Sequence, residues 1–271
     1  MSLIPKKIYQ SWKTKNIPDF LEKNVNIIIS LNPEYEYLLY DDEDCRNFLL
    51  ENFGINYANA FDVLIPGAFK CDFWRYAMLY VNGGIYIDMD MVPLVPFDSV
   101  IKKDDEFLSI LDREDNGSPG IYQSFIACKP NHPILLYSLE LCFANITTRK
   151  PSQNHILSIT GPGLIAVAFN LFFNNKDTME KLFSKDYGNG IKLFVCDKDH
   201  KYTYDLDNKK IFTNKTEDYK GENYGKMKLY KDMSAKNKKE VSGVIIFISF
   251  FILILGCFYF YKKLKYLKYL K

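Results

Sequence analysis

Tryptophan and histidine are scarce in this chain: 271 residues hold two tryptophans, Trp12 and Trp74, and three histidines. Six cysteines are present (Cys45, Cys71, Cys128, Cys142, Cys196 and Cys257), but none form a CxxC pair or a short regular spacing. That gives no indication of a zinc site or disulfide framework and favours reading the cysteines as small buried hydrophobes. Met1 to Gln10 contains no apolar stretch long enough for a signal peptide. No internal repeat occurs. There is also no basic footprint for nucleic acid. Lys262, Lys263, Lys265, Lys268 and Lys271 cluster at the C-terminus, and without these five the 35 basic residues fall to 30 against 33 acidic ones.

Apolar material is abundant. Hydrophobic residues make up 48% and aromatics 16%, with 20 tyrosines and 21 phenylalanines. A chain of this length and composition builds one large domain or two small ones around a substantial core. Val241 to Tyr261 carries no charge. As a helix it would be about 31 Å long, enough to cross a hydrocarbon layer of about 30 Å. Lysines flank it on both sides, and Tyr259 and Tyr261 suit the interface. The heavier basic cluster after the span places the C-terminus in the cytosol, whereas a tail-anchored chain without a signal peptide keeps its body there. The sequence leaves the side open. Glycosylation sequons at Asn116, Asn145 and Asn214 permit a lumenal body.

Short apolar runs alternate with amphipathic ones, which predicts an α/β sheet. Strands are expected at Lys6–Trp12, Tyr35–Tyr40, Glu106–Leu111, Ile121–Cys128, Ile191–Val195 and Lys210–Phe212. Helices are expected at Asp19–Leu31, from Asp41-Asp42 to about Asn52, at Ala68–Val81, from Ile134 to about Asn145, and at Leu164–Phe173. The expected organisation is a catalytic domain at 1–213, a polar Lys-rich stalk at 214–240, the transmembrane helix at 241–261 and a basic tail at 262–271.

The most informative stretch is GGIYIDMDMVPLV, Gly83 to Val95. Two glycines end a helix, a short apolar strand follows, and it delivers Asp88 and Asp90. Carboxylates at the mouth of a buried strand are costly unless a cation neutralises them. Hard Mg²⁺ or Mn²⁺, shared between such acids and a substrate diphosphate, answers that need. On the preceding helix Asp72 and Arg75 are three residues apart and share a face. Alone they would read equally well as an ordinary surface ion pair. The short link to the acidic strand makes them neighbours of the carboxylates. Asp72 could then accept hydrogen bonds from sugar hydroxyls, and Arg75 could pair with phosphate.

IPKKIYQSWKTKNIP at residues 4–18 and CDFWRYAMLYVNGGIYIDMDMVPL at 71–94 resemble the DXD-containing glycosyltransferases. That family includes the fungal initiating α-1,6-mannosyltransferases and the catalytic subunits of mannosyl-inositolphosphoceramide synthases. Glucosylating clostridial toxins share its core more distantly. The resemblance covers roughly residues 3–175. It implies a GT-A-like fold with a mixed sheet, a nucleotide-sugar donor (GDP-mannose or a UDP-hexose), Mn²⁺ or Mg²⁺, and transfer with retention to a glycan or glycolipid. A Golgi- or ER-type internal membrane goes with it.

By that resemblance Asp88 and Asp90 are the metal acids, and Asp72 and Arg75 contact the donor sugar. Gln10, Ser11, Trp12, Gly83, Gly84 and Tyr86 lie on the donor side, with Trp12 stacking on the base or packing in the core. Thr160-Gly161-Pro162-Gly163 matches a T-G-P segment near the active site, its helix start facing phosphate or acceptor. A histidine-and-tryptophan segment found late in many members is absent. Only His200 is available there, and it reads as a surface residue.

Two other classes stay open on the residues alone. Asp88-Met-Asp90-Met-Val92 also fits the nucleophile motif of haloacid-dehalogenase phosphatases, with Lys192 and Asp197–Asp199 as imperfect partners. A non-catalytic membrane protein on a transferase scaffold is the other.

Overall fold

The computed structural model describes residues 2–111, 120–150, 156–174, 182–215 and 228–231. Three parallel strands form the nucleus of the sheet. Lys7–Ser11 (β1) lies between Glu36–Tyr40 (β2) and Gly84–Ile87 (β3). Ile121–Cys128 (β6) runs antiparallel to β3, and Phe107–Leu111 (β5) antiparallel to β6. Ile191–Cys196 (β8) is parallel to β5. Tyr202–Tyr204 (β9), Lys210–Asn214 (β10) and Met91–Pro93 (β4) continue the sheet in antiparallel pairs, and Lys185–Asp186 (β7) pairs with β8. The expected α/β class with a mixed central sheet is therefore what the chain adopts.

Alternating residues of the central strands feed opposite faces, as the two-residue strand period requires. Tyr9, Tyr86, Ile126 and Cys128 enter one apolar cluster, while Ile8, Ile85, Ile87, Phe125 and Ala127 enter another. The first cluster is covered by Gly67–Asn82 (α4), Pro133–Thr147 (α6) and Pro162–Asn174 (α7). On the other side, Ile28 of Asp19–Leu31 (α1) and Phe97 of Phe97–Val100 (α5) join the second cluster. Burial on both faces explains why β3 reads as a continuous apolar run.

Most boundaries follow local chemistry. Asp42–Phe53 (α2) starts after Asp41, which accepts from the Asp44 N–H while the Asp44 carboxylate takes the Asp41 N–H. α7 begins at Pro162, two residues earlier than expected, because proline suits the first helical position. Ile55–Val63 (α3) and the strands β4, β7 and β9 were not expected. α3 is mixed polar and apolar, and the strands are too short to show a period. Their pairing comes from distant partners, as β4 with β10.

β10 runs through Asn214, and residues 228–231, expected in the stalk, return to the body through a bridge between Leu64 and Tyr230. The expected membrane span 241–261 and basic tail lie outside the described residues. Among the described residues no helix is long and apolar enough to cross a membrane. Of the three sequons, Asn116 also lies outside them. The Asn145 amide nitrogen donates to Ile159 O at 2.9 Å, and that of Asn214 to His200 O at 2.5 Å. Both amides are engaged within the fold.

Candidate active site

Because β1, β2 and β3 are parallel, their C-terminal ends open on one edge, the usual ligand side of such sheets. A cleft of about 320 Å³ lies there. Ser11 ends β1 and Trp12 follows it, Asp42 follows β2, and Asp88, Met89 and Asp90 follow β3. Lys70, Cys71 and Arg75 of α4 and Tyr86 of β3 complete the polar wall.

Arg75 is the buried centre of this wall, 5% exposed. Its Nη2 lies 3.3 Å from Asp88 Oδ1 and 3.5 Å from Asp72 Oδ1, and Nη1 donates to Gln123 O at 2.8 Å. The guanidinium also lies over the Tyr86 ring at 4.1 Å. Burial works against its charge, but Cys71, Tyr86, Asp88 and Asp72 outweigh that and keep it protonated. The Tyr86 hydroxyl donates to Asp88 Oδ1 at 2.6 Å, so Asp88 is held by two partners. Cys71 Sγ sits 3.0 Å from Ser11 Oγ and 3.1 Å from both the Tyr86 hydroxyl and Arg75 Nη2. Sequence reading passed over Cys71, because a thiol carries no motif of its own here.

Asp90 is treated differently. No described residue forms an ion pair with it. Burial, and then the charge of Asp88, push its carboxyl up to about 6. The far side of the acids is formed by β10 and β6. β10 pairs with β4 in a register that sets Asn214 opposite Met91, and the Lys215 N–H donates to Asp90 O at 2.7 Å. Tyr122 on β6 is raised by burial, then by Asp88 and Asp90, and is hydrogen-bonded to the Asn214 side chain. The Asn214 Oδ1 is buried with no hydrogen-bond partner. His200, expected at the surface, is half-buried, edge-on to the Tyr122 ring at 5.5 Å and with Nδ1 3.4 Å from Cys196 Sγ.

Two adjacent acids, one lacking a counter-charge, beside an orphaned amide oxygen fit a hard divalent cation. Among the described residues no group of three or more His, Cys, Asp or Glu could hold a metal alone. Such a site therefore relies on ligand oxygens, as diphosphate-bound cations commonly do.

Several expected donor contacts stand off the cleft. Gln10 is fully buried, donates to Ile87 O at 3.1 Å and accepts from the Tyr37 hydroxyl at 2.8 Å, so it ties strands together. Gly83 and Gly84 sit at the opposite end of β3. A Cβ on Gly83 would meet Pro130 at 2.6 Å, and one on Gly84 would meet Lys7 O at 2.9 Å. Both have positive φ, so their role is a tight turn under close neighbours. Gly161, Pro162 and Gly163 do not line the cleft either. Their segment braces Asp72: Thr160 Oγ1 donates to Asp72 Oδ2 at 2.7 Å, and Thr160 O accepts from the Tyr76 hydroxyl at 2.7 Å. Asp72 itself is off the cleft wall, its carboxyl raised to about 6 by burial against the pull of Arg75 and Thr160. Lys192, which a phosphatase would need beside Asp88, is bound to Asp105 at 2.7 Å.

Residues 18–107 match the family described as the glycosyltransferase sugar-binding region containing the DXD motif. A glycosyltransferase of Acanthamoeba polyphaga mimivirus is 29% identical over 209 residues, covering 74% of this chain and 78% of the relative. Inositol phosphoceramide mannosyltransferase 2 of Schizosaccharomyces pombe is 40% identical over 90 residues, covering 32% of this chain. The match spans only 25% of that yeast enzyme's length. The solved glycosyltransferase PaToxG is 22% identical, with a TM-score of 0.49 over 63% of this chain and 70% of its own. The cleft is thus built around the two acids of a segment, residues 18–107, that matches the DXD-containing sugar-binding region of glycosyltransferases.

Proposed function

We propose that the chain moves a hexose, with mannose favoured, from a nucleotide sugar to a glycan or glycolipid acceptor, with retention of configuration and dependence on Mn²⁺ or Mg²⁺. The observation that carries this reading is the asymmetry of the acid pair. Asp88 is fixed by Arg75 and Tyr86, while Asp90 faces the cleft without a counter-charge. Asp88 and Asp90 would hold the cation, and Asn214 Oδ1 offers a further neutral oxygen. When bound, the cation supplies positive charge to the diphosphate leaving group.

The chain's own residues do the rest. Ser11 and Trp12 border the nucleotide side of the cleft, and the Trp12 ring offers a face for the base. Arg75, pre-positioned and charged, stabilises negative charge that grows on the departing diphosphate without reorganising at that moment. Asp72 acts on the donor through Arg75, whose guanidinium it holds from behind. The departing phosphate itself takes the acceptor hydroxyl's proton. Mannose is favoured because the yeast relative is named a mannosyltransferase. The membrane anchor at 241–261 and a Golgi- or ER-type internal membrane belong to the same proposal.

The test is a donor-hydrolysis screen over GDP-mannose and the UDP-hexoses with Mn²⁺. Turnover of a GDP-linked donor that stops with chelator supports the reading. Turnover of UDP-linked donors alone overturns mannose, and chelator-insensitive turnover overturns the metal.

A further inference from the structure

A polar ring is buried behind the cleft. It starts where β6 breaks register with β5: Ser109 pairs with Ile126, but its neighbour Ile110 pairs with Tyr122. Gln123, Ser124 and Phe125 are the surplus residues of a bulge, a device that re-aims groups beside a site. Each bulge carbonyl is taken. Gln123 O accepts from Arg75 Nη1 at 2.8 Å, Ser124 O from the Asp88 N–H at 2.7 Å, and Phe125 O from Ser109 Oγ at 2.9 Å.

The Gln123 side chain carries the ring onward. Its Nε2 donates to the Tyr76 hydroxyl and, at 3.3 Å, to Thr160 O, which also accepts from that hydroxyl at 2.7 Å. Thr160 Oγ1 donates to Asp72 Oδ2, and the other oxygen of Asp72 closes the ring on Arg75 Nη2 at 3.5 Å. Tyr76 and Thr160 are fully buried and Gln123 nearly so. Asp72, Tyr76, Gln123 and Thr160 stand off the cleft, whereas Arg75 lines it.

Neutralising Arg75 needs only a nearby carboxylate. Fixing its plane needs more: one Nη held by a backbone carbonyl and the other by a carboxylate that cannot turn. Asp72 cannot turn, because Thr160 anchors its second oxygen. Stability is a poor explanation for such a ring, since apolar residues of similar volume often serve a fold as well as a buried ion pair. What the ring adds is direction.

We propose that this ring fixes the direction of the Arg75 guanidinium, with Thr160 as a positioning residue at its far end, so that the charge already points at the diphosphate when it leaves. The part about the diphosphate rests on the transferase reading above; the fixing of Arg75 does not. Thr160 stands 88 residues after Asp72 and acts only through it.

The chain holds four arginines, Arg46, Arg75, Arg113 and Arg149. Labelling the full chain with ¹⁵N-arginine therefore isolates the Arg75 guanidinium by NMR, its signals assigned by their loss in Arg75→Lys. Thr160→Val keeps the side-chain shape and removes the hydroxyl. It is expected to speed exchange of the Arg75 Nη protons about tenfold. It should also lower kcat for donor hydrolysis about tenfold to a hundredfold, with donor KM moving less than about threefold. Thr160→Ser should restore both. Tyr76→Phe removes only the hydroxyl bonded to Thr160 O, and should speed the same exchange about threefold; it is the variant to read if Thr160→Val does not fold. Unchanged Arg75 exchange in the folded variant, or no rescue by serine, overturns the ring. Faster exchange with kcat unchanged overturns the positioning role. No donor hydrolysis by the unsubstituted chain overturns the transferase reading alone, because the exchange rates still judge the ring.

Discussion

The two ends of β3 lie about 13 Å apart and answer to different physics. At its start, Gly83 and Gly84 are there because Pro130, Lys7 and Tyr9 leave no room for a side chain. At its finish, Asp88 and Asp90 are there although burial and mutual repulsion make them costly. In sequence the two pairs read as one motif. In space one end holds the fold and the other opens the cleft, so one run of residues serves two separable tasks.

Substitutions at the two ends should therefore separate activity from stability. The largest effect expected is at Asp90. Asp90→Ala should lower transfer by roughly 10²–10³-fold or more. It should also leave the apo fold no less stable at pH 7. The Asp90 carboxyl is raised to about 6 in the folded state, so it costs stability above its unfolded value, and that cost grows as pH rises from about 4 to 6. Thermal melts in chelator across pH 4–7 check this; a large loss of stability would mean that Asp90 serves the fold.

Arg75 joins both tasks. Arg75→Ala leaves Asp72 and Asp88 facing each other in a buried site, and should cost about 3–5 kcal/mol in urea unfolding as well as activity. If activity falls with stability intact, the ion pair contributes only to chemistry.

His132 belongs to the glycine end, beside Pro130. Burial, then Lys129, lowers its imidazole to about 3, and its Nδ1 accepts from the Ile134 N–H at the start of α6. An unfolded histidine titrates near 6.5, so the stability held by the neutral ring is complete above that value and drains as pH falls towards 3. By pH 4.5 the loss should be about 2–3 kcal/mol. His132→Asn keeps a capping group and should flatten this acid limb in a melting-temperature series.

The smallest effect is expected at Gly84. Gly84→Ala forces a left-handed φ of 101° and a clash with Lys7 O, which should cost about 1–3 kcal/mol. The donor KM of the protein that remains folded should not move. A raised KM would return Gly84 to the donor site.

Much of this was legible beforehand, for identifiable reasons. α1 and β6 fall within their expected bounds because apolar spacing and flanking turns mark them locally. Asp88, Asp90, Arg75, Ser11 and Trp12 meet at one cleft because each lies on or directly after a parallel strand or the helix feeding it. Cys71, Tyr122 and Asn214 were not legible. Their place beside the acids depends on α4 leaning over β3, and on β10 arriving from more than a hundred residues away to pair with β4. Gln10 lies within β1 beside the cleft-lining Ser11, but strand alternation turns it inward and Ser11 outward.

What the sequence determined by itself was a grouping of charge: two acids at the end of an apolar strand, with an aspartate and an arginine one helix face away. Only the tertiary structure decided which acid is left without a counter-charge, which glycines are steric, and that Leu229 and Tyr230 return to the cleft wall. Charge and spacing are local properties of the chain, whereas partners, exclusion and burial exist only once distant segments share a surface.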